Sequence, residues 1–247
     1  MAQPSTRVTH LLTTLRHLRV AATTHGARVV PAAADALGLD TPALTPVWDA
    51  LLARLDTTAR DLEAAEVAYV AEQADDDAPR THRDLARDAL AHHLRQVRSA
   101  LATAFGPTTP AAYALDGAMP ESADAVLRRA RASQHLLRTQ PRSEPHALFG
   151  HVVSTDTLAH TLDAPIAQLS AALESVKQEE SELKGALADR DAAMTAARRT
   201  YRVAASLLES FFRAAHEDAL ADTVRPTVRR SQGRSAPQVE ESPTPAG

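Results

Sequence analysis

The sequence contains no cysteine. A disulfide framework, thiolate metal ligands and a cysteine nucleophile are excluded together. Aromatic residues are scarce, at 3% of the chain. A β-sandwich draws on far more Tyr, Phe, Val and Ile, so this scarcity points away from sheets. Glycine is thin as well, eight in 247 residues, and no glycine-rich phosphate loop occurs. Lysine is nearly missing: Lys177 and Lys184 are present, and every other basic side chain is an arginine. With so general a bias, an arginine cluster says less than it would in another chain. No apolar run approaches the ~18 residues needed to cross a bilayer. Arg7, His10, Arg16 and His17 interrupt the N-terminal stretch where a signal peptide would be apolar. The expectation is a soluble, cytoplasmic protein without a membrane span. A net charge of -4 argues against nucleic-acid binding by the chain as a whole.

Alanine is the commonest residue, and 44% of the chain is hydrophobic. Alanine loses no side-chain entropy in a helix and has the highest helix propensity, so the composition favours an all-α protein with an affordable core. Helical spacing of Val8, Leu11, Leu15, Leu18 and Ala22 predicts a helix over about 5–25, stopped by Gly26, with a short helix from Pro31. A second helix is expected over 46–75, with Thr45 as cap and Pro46 in the first turn. Leu90, Leu94, Val97, Leu101 and Phe105 place a third over 81–105, ended by Gly106 and Pro107. A turn at 75–79 would make the second and third an antiparallel hairpin. A fourth helix is expected over 121–139, followed by a loop through "PRSEPHALFGH". The prolines, glycines and few apolar residues of 226–247 predict a disordered tail.

The last helix is expected over 164–224. From Ile166 its spacing alternates three and four without a slip: Leu169, Leu173, Val176, Glu180, Leu183, Leu187, Arg190, Met194, Ala197, Tyr201, Ala204, Leu208, Phe211 and Ala215. All but Glu180 and Arg190 are apolar, a 3.5-residue repeat of coiled-coil type. Unbroken, such a helix is roughly 85 Å long, about twice its expected neighbours. The resulting picture is a single domain over 1–225, an elongated antiparallel bundle dominated by one long C-terminal helix.

Candidate chemistry is sparse. Asp84, Asp88 and His92 share one helical stripe, but Arg83 and Arg87 interleave with them, so a solvated charged face is expected before a metal site. G-x-S-x-G, H-E-x-x-H and EF-hand patterns do not occur. No catalytic residue, cofactor or metal ligand is therefore expected. Arg225, Arg229, Arg230 and Arg234 form the one local basic cluster, a candidate anion contact opposed by Glu240 and Glu241. Arg225 also stands where a cation complements a helix C-terminus.

The close of the chain, "LLESFFRAAHEDALADTVRPTVRRSQGR", resembles that of uncharacterised bacterial all-helical proteins in which a long helix runs into "VRP", a Ser or Thr and paired arginines. The segment "YALDGAMPESADAVLRRA" is loosely similar to the same group. The resemblance implies that Val224-Arg225-Pro226 belongs to a recurring design; it implies no activity. The functional expectation is a non-enzymatic scaffold or interaction protein that self-associates or binds another helical protein. Its seam would be Leu169, Leu173, Val176, Leu183, Leu187, Met194, Tyr201, Leu208 and Phe211. The alternative is an arm binding nucleic acid or another anionic surface through the arginine cluster.

Overall fold

A computed structural model describes residues 5–75, 77–145 and 152–225. The chain is an all-α helical bundle. In chain order the elements are α1 (Thr6–Ala36), α2 (Thr41–Asp75), α3 (Asp77–Phe105), α4 (Thr109–Ala112), α5 (Ala123–Thr139), β1 (Ser143–Pro145), β2 (Val152–Ser154), α6 (Thr155–Thr161), α7 (Asp163–Ala214) and α8 (Asp218–Val224). Residues expected to share one bundle group into two compact units. The first joins the chain up to Ala74 with the chain from Leu183 on; the second is Asp75–Glu182.

The core of the first unit is built from the stripe Val8, Leu11, Leu15, Leu18 and Ala22 of α1, facing Leu51, Leu55 and Leu62 of α2. Tyr201, Ala204, Leu208 and Phe212 of α7, with Ala221 and Val224 of α8, complete it. Burying each such leucine stabilises the fold by ~1.5–3 kcal/mol. Trp48 lies 5.7 Å from Phe211 and 6.4 Å from Phe212, ring centroid to centroid. Glu66 of α2 is buried, and its carboxylate accepts the Ser5 N–H at the start of α1 (2.5 Å).

The second unit gathers Leu90, Leu94, Val97 and Leu101 of α3, Val126, Ala130 and Leu137 of α5, and Ile166, Leu169 and Leu173 of α7. Asp163 opens α7 and accepts hydrogen bonds from Gln134 (2.7 Å) and Arg138 (2.6 Å) of α5. Ser122 caps α5, accepting the Ala125 N–H at 3.3 Å. The loop before α5 is held by Arg129, whose guanidinium donates to the carbonyls of Ala114 (3.0 Å), Ala118 (2.5 Å) and Asp116. Arg98 adds a bond to the Gly117 carbonyl (2.9 Å), and the buried Tyr113 donates its hydroxyl to Gln140 (2.9 Å). Residues 113–122 thus form a loop clasped by Arg129 of the helix that follows and by Arg98 of α3.

Several expectations are corrected. Helix α1 does not stop at Gly26 or restart at Pro31; it runs through both to Ala36. Gly26 sits against Trp48: a Cβ there would come within 2.8 Å of the indole Nε1. The glycine serves a close approach between helices, and burial of the stripe outweighs its weak propensity. Helix α2 begins at Thr41, not Pro46, because Pro42 occupies an early position whose N–H has no helical acceptor in any case. Thr45 is not its cap; its hydroxyl donates to the Thr41 carbonyl (2.9 Å). Helix α3 starts four residues early, at Asp77. The loop after α5 contains an antiparallel pair in which Ser143 faces Ser154 and Pro145 faces Val152.

The last helix is continuous through Gly185 but ends at Ala214, ten residues before the expected end. His216 takes a left-handed conformation (φ 59°). The Glu217 N–H then reaches the Phe212 carbonyl (2.8 Å) and the His216 N–H the Arg213 carbonyl (3.0 Å). This is a Schellman closure, which usually employs glycine. A histidine in that place gives no readable stop signal. The expected disordered tail over 226–247 lies outside the described residues.

Candidate interaction surface

Most of the α7 seam lies within the chain's own cores. Leu169, Leu173 and Val176 are buried in the second unit, and Tyr201, Leu208 and Phe211 in the first. Leu183, Leu187 and Met194 are half-buried. The two ends of the long repeat pack into the cores of the two units in turn. The polar positions differ: Glu180 is exposed, whereas the Arg190 guanidinium lies over the Tyr69 ring of α2, 4.2 Å from its centroid, and pairs with Asp191 (3.2 Å).

The arginine cluster is only partly described. Val224 is fully buried, and Arg225 stands 3.9 Å from Glu209 of α7, so this part of the close folds back on the helix. Arg229, Arg230 and Arg234 lie outside the described residues. The neighbouring Arg213 pairs with Glu209 of its own helix (3.2 Å) and joins α7 to α8 through Asp222 (3.2 Å) and Asp218 (3.6 Å). The hydrogen bond to Glu209 holds this guanidinium above its ordinary pKa, while desolvation opposes the shift. Glu217 adds a link to Arg28 of α1 (3.1 Å).

The Asp84, Asp88 and His92 stripe is laced with local pairs. Asp84 meets Arg83 (2.8 Å), Asp88 meets Arg87 (2.9 Å), and Gln96 donates to His92 Nε2 (2.9 Å). These are the contacts of a solvated helix face.

A surface without such pairing occurs between α2 and α7 in the first unit. Two adjoining hollows of about 630 and 390 Å³ share Arg54, Arg199 and Thr200. Thr200 of their lining meets the buried Thr58 hydroxyl of α2 at 3.2 Å. Ala192, Ala196 and Ala204 line the groove, and the side chain of Val203, 54% exposed, rises beside them. Small residues of this kind allow a further helix to approach closely. Arg54 and Arg199 are exposed, and among the described residues no carboxylate pairs with either. Asp191, at one end, is engaged by Arg190.

No protein-family model, curated protein or solved structure matches the chain. Among the described residues no helix is long and apolar enough to cross a membrane.

Sequence reasoning did not find Arg54 or Arg199. Each is isolated in sequence, in a chain whose basic residues are nearly all arginine. Their shared feature, facing one groove from two helices, exists only after folding.

Proposed function

We propose that the chain is a non-enzymatic interaction protein that receives a partner helix in the α2–α7 groove. The observation that carries this reading is the pair Arg54 and Arg199, exposed and, among the described residues, without a paired carboxylate, beside a groove lined by Ala192, Ala196, Val203 and Ala204. From Asp191 to Val203 the groove follows α7 for about 18 Å, room for roughly three turns of helix. A fitting partner is an amphipathic helix with an apolar stripe and flanking carboxylates. Arginine pairs with carboxylates through two parallel hydrogen bonds, and such residues often dominate interface energetics. A second copy is a poorer occupant, because isologous pairing of two such grooves would set arginine against arginine. The seam of α7 is not the proposed face, since most of it lies in the chain's own cores.

A photo-cross-linker at Val203 in the full chain, expressed in its native cells, tests the proposal. Mass spectrometry should recover one dominant partner, cross-linked at a helix bearing Asp or Glu beside the attached residue. The double charge reversal Arg54→Glu with Arg199→Glu should remove that product. A product that survives the reversal, or no product at all, refutes the reading. A cross-linked dimer of the chain would replace the foreign partner by a second copy.

A further inference from the structure

A separate cleft of about 340 Å³ lies between α1 and α2. Trp48, the one tryptophan of the chain, forms part of its wall. Gly26 permits this placement, since a side chain there would press on the indole Nε1. Pro31 also lines the cleft and has no N–H to give, so the Ala27 carbonyl loses its usual helical donor. Ala27 borders the same space. Opposite, Asp49 of α2 is exposed, and no ion pair or hydrogen bond engages it among the described residues. The Thr45 hydroxyl donates to the Thr41 carbonyl at 2.9 Å, which leaves its oxygen able to accept.

The polar groups around this space include the Asp49 carboxylate, the Ala27 carbonyl without its helical donor and the hydroxyls of Thr23, Thr41 and Thr45, all able to accept hydrogen bonds. The Trp48 indole N–H, which can only donate, lies against Gly26. Asp49 is the one charged residue of the lining, so its charge favours a cation over an anion. Val30 and Leu52 add apolar wall, and an indole attracts cations through its ring.

We propose that this cleft binds a small organic ammonium, a primary amine carrying a short apolar body. An ammonium brings three N–H donors and a positive charge, matching the acceptors and Asp49 together. Its apolar body lies along Val30, Leu52 and the indole. The volume stands at the lower end of the ~300–1,000 Å³ range of small-molecule sites, which suits a ligand of this size.

The single tryptophan is the reporter. The full chain is titrated with n-hexylammonium chloride at constant ionic strength, and in parallel with 1-hexanol. The amine should give a saturable change in tryptophan emission. Hexanol should bind at least about tenfold more weakly, the effect of losing a charge-assisted hydrogen bond. Asp49→Asn, a change at an exposed position checked by circular dichroism, should weaken the amine by a similar factor and leave hexanol unchanged. No saturable response to the amine overturns the proposal. So does equal affinity for amine and alcohol, or an Asp49→Asn variant that binds the amine as the natural chain does.

Discussion

The Arg190 guanidinium of α7 rests on the Tyr69 ring of α2, 4.2 Å from its centroid. Arg190 is one of two polar positions in an otherwise apolar seam, and its side chain is only 17% exposed. The ring and the adjacent Asp191 accommodate its charge inside the first unit, without a second molecule. A double-mutant cycle with Arg190→Ala and Tyr69→Ala should give a coupling of about 0.5–2 kcal/mol by denaturant unfolding, the range of partly desolvated cation–π pairs. A coupling indistinguishable from zero would show the stacking to be energetically empty.

Two helical glycines should respond in opposite directions. A Cβ at Gly185 would meet nothing within 4 Å, and the position is helical, so Gly185→Ala should stabilise the chain by about 1 kcal/mol. A Cβ at Gly26 would lie 2.8 Å from the Trp48 indole, so Gly26→Ala should destabilise by about 1–3 kcal/mol despite the better propensity. Urea midpoints of the two variants against the natural chain provide the measurement. A shared sign would contradict the packing described for Trp48.

His216 holds the left-handed position that ends α7. A side chain in that conformation costs roughly 1–2 kcal/mol, partly offset for glycine by its freer unfolded chain. His216→Gly should therefore raise stability by about 0.5–1 kcal/mol. A fall in melting temperature would mean that the imidazole makes a compensating contact.

Arg129 satisfies three backbone carbonyls of the loop before α5. Hydrogen bonds from a charged donor are worth ~1.5–3 kcal/mol each when isolated, and these share one exposed rim. Arg129→Ala should lower stability by about 2–3 kcal/mol, with hydrogen-exchange protection lost first in Tyr113 to Met119. Arg129→Lys should recover only part, because an ammonium cannot reproduce the guanidinium fork. Full rescue by lysine would reduce the clasp to simple charge.

Arg213 joins three carboxylates across the α7–α8 corner. Its pKa is raised, so its contribution is present below the ordinary guanidinium range and is lost only above it. Arg213→Gln should accordingly speed amide exchange in Asp218–Val224 at neutral pH, while the α7 seam stays protected. Unchanged exchange in α8 would assign its docking to Ala221 and Val224 alone.

Much of the helical architecture could be read from local pattern. The stripes Val8 to Ala22 and Leu90 to Leu101 carry a 3.6-residue period and lie buried where it places them. The seam from Ile166 carries a 3.5-residue one and is buried towards both ends, with Glu180 exposed and Leu183 and Leu187 half-buried between. Ser122 and Gly106 mark helix ends through capping chemistry that needs no neighbour. Other features answer to contacts between residues far apart in the chain. Gly26 and Pro31 look like breaks, yet α1 passes through them because an indole from α2 needs the space and the buried stripe outweighs a missing hydrogen bond. His216 looks like an ordinary helical residue, yet it ends α7 because Arg213 and the buried Val224 draw α8 back. Arg54 and Arg199 lie far apart in sequence and face one groove only when α2 and α7 pack. Period and capping act within a few residues, so they survive in the linear chain; burial, close approach and shared surfaces arise between segments and have no local signature.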